Sequence, residues 1–145
     1  MNASSNPLLH QKHAKQYQEQ QIITASKEQL LIMLYDGAIR FAKTAKKAII
    51  AQDYEKSNNF LLKTQRIITE FMGSLDLKSG SDTTKQLFLL YEYLHHQLVQ
   101  ANIQKDVALV DDVLEHLLDL RKTWVAAIEI AQQEMQKSST SAQNA

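Results

Sequence analysis

Glu92 and His95 stand three apart in LYEYLHH, Leu90 to His96, a spacing that puts a carboxylate and an imidazole on one helix face. In a helical bundle, that pair is half of a di-iron or di-manganese site, which also needs a second Glu-x-x-His and a lone glutamate from each of two other helices. The sequence supplies the pair once. Further on it has Asp112 and Glu115, with no histidine where the second pair would require one. His10 and His13 share the spacing, but no carboxylate or cysteine beside them completes a coordination sphere. His95 and His96 are neighbours and project about 100° apart around a helix, and His116 reads as a boundary residue. The absence of cysteine excludes thiol nucleophiles and thiolate metal sites. No Gly-rich phosphate loop and no serine elbow occur. The expectation is therefore a protein that is not an enzyme, with no catalytic residues, no metal and no cofactor.

Charge narrows the field further. Lys+Arg 16 balance Asp+Glu 16, so no global field attracts nucleic acid or an anionic membrane. Lys43, Lys46 and Lys47 read as the solvated side of an amphipathic helix. Trp124 falls on an apolar helical stripe. Arg121, three residues before it, is expected to pair with Asp36, Asp112 or a partner's carboxylate.

These residues must be positioned by helices. At 145 residues the chain has the length of one domain, and Gly 3 with Pro 1 is too few for a sandwich or barrel full of tight turns. The longest stretch, Thr24 to Ile50, has Ser26 and Gln29 spaced for a capping box, with Glu28 in the first turn suiting the helix dipole. Leu31, Leu34, Ala38, Phe41, Ala45 and Ala48 follow at steps of three and four and predict its buried seam. A second helix is expected after Asp53, with a stripe of Leu61, Thr64, Ile68, Phe71 and Leu75. A third follows the Gly80 turn and Ser81 or Asp82, with Leu87, Leu90, Leu94, Leu98 and Ala101. A fourth is capped by Asp106 and carries Val110, Val113, Leu117, Leu120, Trp124, Ala127 and Ala131.

Short links force sequential helices to run antiparallel, giving an all-α, antiparallel up-down four-helix bundle with a short N-terminal helical arm. The expected organisation is a flexible N-terminal arm over 1–23, the bundle over 24–137 and a disordered Ser-rich tail over 138–145. The arm carries Pro7, Leu8, Leu9, Tyr17, Ile22 and Ile23 without a continuous stripe and reads as a displaceable lid. The first residues lack a basic and then apolar signal pattern, and no run approaches the ~18 apolar residues of a membrane span, so neither export by a signal peptide nor membrane insertion is expected.

The first half of the long helix carries more apolar surface than one seam uses. Leu30, Ile32, Met33, Tyr35 and Ile39 lie off the stripe, where either neighbouring helices or a partner must cover them.

Several runs together resemble the FliS family of flagellar secretion chaperones. Tyr17 to Ser26, YQEQQIITAS, is similar to the family's arm and helix start, and Met33 to Ala38, MLYDGA, to its most recognisable run. LYEYLHHQLVQANIQKD, Leu90 to Asp106, resembles its third helix and link, and Leu120, Arg121, Trp124, Ala127 and Ile128 its last helix. Lys27 departs from the proline common at the first helical position. The resemblance implies a cytoplasmic export chaperone that binds the disordered C-terminal segment of flagellin, prevents premature polymerisation and delivers it to the flagellar type III export gate. The residues expected to meet a partner are Tyr17, Ile22, Leu30, Met33, Tyr35, Asp36, Tyr91, Arg121 and Trp124. The alternatives are a metal- or ligand-binding bundle and a helical adaptor for another partner.

Overall fold

Each helix of the bundle begins where a side-chain oxygen takes an orphan backbone N–H. The computed structural model describes residues 26–144, with side chains to 142, and the helical residues 12, 13, 15 and 16. The first helix of the bundle, α1, spans Lys27–Ile50. The Gln29 N–H donates to Ser26 Oγ at 3.2 Å and the Ser26 N–H to Gln29 Oε1 at 3.0 Å, so both halves of the capping box are formed. Helix α2, Tyr54–Ser74, is capped by Asp53, which accepts from the Lys56 N–H at 3.3 Å. Ser81 caps α3, Asp82–Gln104, and Asp106 accepts from the Ala108 N–H at 2.9 Å at the start of α4, Val107–Asn144.

The turns are as short as the sequence implies. Gln52 and Lys105 adopt left-handed backbone conformations, φ 59° and 53°, that end α1 and α3, and the next residue's N–H reaches back in each case, Asp53 to the Ala48 carbonyl and Asp106 to the Ala101 carbonyl. The longer loop folds around Asp76, whose carboxylate accepts from the backbone of Lys78 and Ser79. Gly80 is required there, since a Cβ would stand 2.2 Å from the Asp76 carbonyl oxygen.

Helices pack in ring order, α1 on α2, α2 on α3, α3 on α4 and α4 on α1. Two ion pairs mark the α1–α4 register: Lys46 with Asp111 at 2.7 Å, and Asp36 with Arg121 at 2.5 Å, ten residues away along each helix and in opposite directions. The architecture is the antiparallel four-helix bundle that the spacing predicts.

The core face of α1 is not the predicted one. Leu34, assigned to the seam, is 38% exposed, whereas Tyr35, assigned off it, is fully buried with Ala38, Ala42 and Ala45. Ala38 and Ala45 fit either stripe, and the helix settles on the neighbouring face, where the buried alanines let α2 and α4 approach closely and leave room for one large ring. The other stripes hold better. Leu61, Thr64, Ile68 and Phe71 of α2, Leu94, Leu98 and Ala101 of α3, and Val110, Val113 and Leu117 of α4 are buried, and the Thr64 hydroxyl is satisfied by the Phe60 carbonyl at 2.8 Å.

Helix α4 outruns the bundle. Continuing the α1–α4 register brings the start of α1 level with Ile130, so Ala131, placed on the seam by its spacing, has nothing beside it in α1 and is exposed, as is Ala127. The segment 138–144, expected to be disordered, is helical in the structure, because neither glycine nor proline interrupts the chain after Val107. The arm expected over 1–23 lies almost wholly outside the described residues.

Leu117→Ala is expected to cost ~2–5 kcal/mol through lost burial and an enclosed cavity. At Leu34, solvent already reaches the side chain, so Leu34→Ala should cost about 1 kcal/mol or less. Chemical denaturation checks the ranking, and equal losses would mean that the Leu34 face is covered in solution.

Candidate functional site

Four large rings from four helices meet near the α1 N-terminal end. Tyr35 of α1 stacks on Phe71 of α2 with ring centroids 4.4 Å apart, and Phe71 stacks on Tyr91 of α3 at 5.3 Å. The Tyr35 and Tyr91 hydroxyls are hydrogen-bonded at 2.6 Å, and Trp124 of α4 donates its indole N–H to the Tyr35 hydroxyl oxygen at 3.1 Å. Hydroxyls inside an apolar layer cost free energy unless partnered, and here each is. Burial is the main reason both phenols are pushed above the ordinary tyrosine range, and the Tyr91 hydrogen bond adds to the effect at Tyr35. Both stay neutral at physiological pH.

Tyr35 and Tyr91, expected from the sequence to meet a partner, are 0% and 2% exposed. With ring and hydroxyl both engaged inside the protein, each shapes the surface from beneath. Trp124, half-buried, closes the layer at the surface.

Beside that layer, Asp36, next to Tyr35, and Arg121, three residues before Trp124, bridge α1 and α4. Arg121 donates through Nε to Asp36 Oδ1 at 2.5 Å and through Nη2 to Oδ2 at 3.5 Å, with side chains 37% and 46% exposed. Asp36, the first of the three carboxylates proposed for Arg121, is the one it finds. An exposed pair of this kind contributes roughly 0–1 kcal/mol.

Apolar side chains adjoin this pair. On α1, Ile32 and Met33, both half-buried, lie one turn before Asp36, whereas Leu30, half-buried, and Leu34, exposed, share the stripe of Gly37 and Phe41 that faces α2. On α4, Leu118 and Val125, 48% and 37% exposed, flank Arg121 on the same helix edge. Sequence spacing missed both, since they lie off the α4 stripe; their seven-residue separation, three before and four after Arg121, was the available signal. Tyr17 and Ile22 lie outside the described residues.

The di-metal pattern does not assemble. No cluster of three or more potential ligands occurs among the described residues. Asp112 is instead used by Tyr93, whose hydroxyl donates to it at 2.6 Å, and by Gln97 at 3.0 Å; the tyrosine bond is the main cause of its lowered pKa. No helix among the described residues is long and apolar enough to cross a membrane.

Residues 10–134 match the family model described as "Flagellar protein FliS". This chain belongs to the FliS family. It is 34% identical over 113 residues to the flagellar secretion chaperone FliS of Bacillus subtilis (strain 168), covering 78% of this chain and 84% of that one. With the Escherichia coli (strain K12) flagellar secretion chaperone FliS it shares 30% over 109 residues, covering 73% and 79%. A solved structure described as a flagellar chaperone from bacteria superposes with a TM-score of 0.66 at 21% identity, over 83% of this chain and 98% of that one, and shows the same fold. Membership places this FliS-family chain among chaperones and not among enzymes.

Tyr35→Phe removes the hydroxyl that partners both Tyr91 and Trp124, and should cost ~1–3 kcal/mol with the bundle still folded. Because folding raises both phenol pKa values, their contribution is fully present below pH ~10 and is lost as pH rises above it. Denaturation at several pH values should show stability declining above pH ~10, and less steeply in Tyr35→Phe. Equal slopes would show that other groups govern the alkaline limit.

Proposed function

We propose that this chain is a cytoplasmic export chaperone that binds the disordered C-terminal segment of flagellin, keeps it from polymerising and delivers it to the flagellar type III export gate. Membership of the FliS family, whose relatives are named flagellar secretion chaperones, is the observation that carries the reading. The surface agrees with it. A segment that polymerises by burying an apolar face needs an apolar groove in its place, and the partly exposed Ile32, Met33, Leu118 and Val125 offer one along α1 and α4.

Within this reading, Leu30, Met33 and Trp124 meet cargo side chains, Asp36 and Arg121 hold the seam and offer polar contacts, and Tyr35 and Tyr91 support the layer beneath. The arm residues Tyr17 and Ile22 act as part of a displaceable lid. Met33 is suited to its place because an unbranched thioether adapts to different neighbours.

Calorimetric titration of the full chain with a flagellin C-terminal peptide tests the proposal. Binding should show a large negative heat-capacity change and little dependence on salt, since apolar burial carries it. Met33→Glu should weaken binding about tenfold or more while thermal unfolding stays close to that of the parent, as expected for a half-exposed side chain. No heat of binding, or a Met33→Glu variant that binds as the parent does, would remove the peptide or the surface from the proposal respectively.

A further inference from the structure

A net charge of zero conceals a segregated surface. From Gly37 to Ile50, α1 carries Arg40, Lys43, Lys46 and Lys47 and no carboxylate; from Lys56 to Thr69, α2 carries Lys56, Lys63 and Arg66 and again none. The first half of α4 is the converse, with Asp111, Asp112, Glu115 and Asp119 and no lysine or arginine before Arg121. Lys46 meets Asp111 at the border between the two fields. The other six cations are exposed, and none is in an ion pair among the described residues.

Solubility alone does not ask for this arrangement. Lys43 with Lys47, and Lys63 with Arg66, are like charges at helix spacings where they repel, and a surface evolved only to stay dissolved is better served by interspersed signs. The basic face also has a floor. Phe41 and Phe60, half-buried with centroids 5.8 Å apart, lie across the α1–α2 seam. Lys63 Nζ stands 4.6 Å from the Phe60 centroid and 5.6 Å from that of Phe41, and the Arg40 guanidinium 5.5 Å from Phe41. Two of the six cations are therefore held in place over aromatic rings, which reduces the ordering entropy a partner's carboxylate would otherwise have to supply.

We propose that this α1–α2 face docks an acidic polypeptide segment. The surface is separate from the α1–α4 rim assigned to cargo, and the inference does not depend on the cargo being flagellin. Charge complementarity selects an acidic occupant, and three features select polypeptide over nucleic acid. The cations span ~10 Å along α1 and ~15 Å along α2, the reach of four or five extended residues. A strand running further across α1 meets the carboxylates of α4, within about a helix diameter and near the Debye length. The rings are half-buried and already capped by Lys63 and Arg40, so they present no open face on which a base can stack.

Fluorescence anisotropy with the full chain tests this, using three labelled probes. These are an acidic peptide of about 12 residues repeating Asp-Leu-Glu-Phe, its neutral Asn-Leu-Gln-Phe counterpart, and an oligouridine of about the same length. The acidic peptide should bind about tenfold or more tighter than either other probe, and should lose about tenfold in affinity between ~50 and ~300 mM salt. Arg40→Gln with Lys63→Gln should weaken it by a similar factor, while Lys122→Gln with Lys137→Gln on α4 leaves it unchanged. Should the first pair disturb folding, Lys47→Gln with Arg66→Gln, exposed and touching no ring, makes the same comparison. Equal binding of the two peptides, preference for the oligouridine, or full affinity in the α1–α2 variants would overturn the proposal. So would self-association of the chain that depends on Lys63, since the occupant would then be the acidic half of a second copy.

Discussion

The hydrogen bond between the Tyr35 and Tyr91 hydroxyls, with the Trp124 indole donating to the first, is the constraint on which the register of the bundle depends. Apolar side chains alone tolerate small slips along a helix, because area burial has no direction. Two phenols and an indole do not. Their oxygens and nitrogen must meet within hydrogen-bond distance in a layer closed to water, and they come from three helices stacked around Phe71 of the fourth. A shift of one turn in α1, α3 or α4 would leave a buried donor or acceptor unmatched, a larger penalty than the net gain from the bonds themselves.

That layer also explains the shape of α1. Ala38, Ala42 and Ala45 are fully buried and small, so the neighbouring helices approach α1 closely just below Tyr35, and the rings of the layer occupy the wider space above. Asp36 follows Tyr35 directly, and Arg121 precedes Trp124 by less than one turn. Fixing the buried partners therefore fixes the surface pair, which explains why a salt bridge worth little by itself is so well aimed.

Much of this was legible in the sequence, and the failures are instructive. Caps, turns and the stripes of α2 and α3 follow from local chemistry, and Ser26 with Gln29, Asp53, Ser81 and Asp106 do what their side chains dictate. The α1 face did not follow, because Leu31 and Leu34 are stronger apolar signals than Tyr35, whose hydroxyl makes it look like a boundary residue. Only Tyr91 and Trp124, more than fifty positions away, supply the partners that make its burial favourable. The far half of α4 misled for a related reason. Ala127 and Ala131 keep the spacing of a seam, but spacing cannot say where the neighbouring helix begins. Leu118 and Val125 were invisible as a pair until Arg121 was seen to reach Asp36.

The two ends of α1 carry different surfaces for a physical reason. Its first half holds Leu30, Ile32, Met33 and Leu34 partly open to solvent, and its second half holds four cations and no anion. Basic residues near a helix C-terminus interact favourably with the dipole, and Lys47 sits in the last turn of α1. The dipole explains the sign at that end but not its extension across α2, where Lys63 and Arg66 lie mid-helix. Nor does it explain the acidic run from Asp111 to Asp119, which begins one turn into α4 and continues beyond reach of the N-terminal partial charge. A helix dipole acts within a single turn, whereas the segregation of charge here spans three helices and is bridged at its border by Lys46 and Asp111. The division into an apolar rim and a basic face is thus a property of the assembled bundle, and it leaves room for two partners of different chemistry on one small domain.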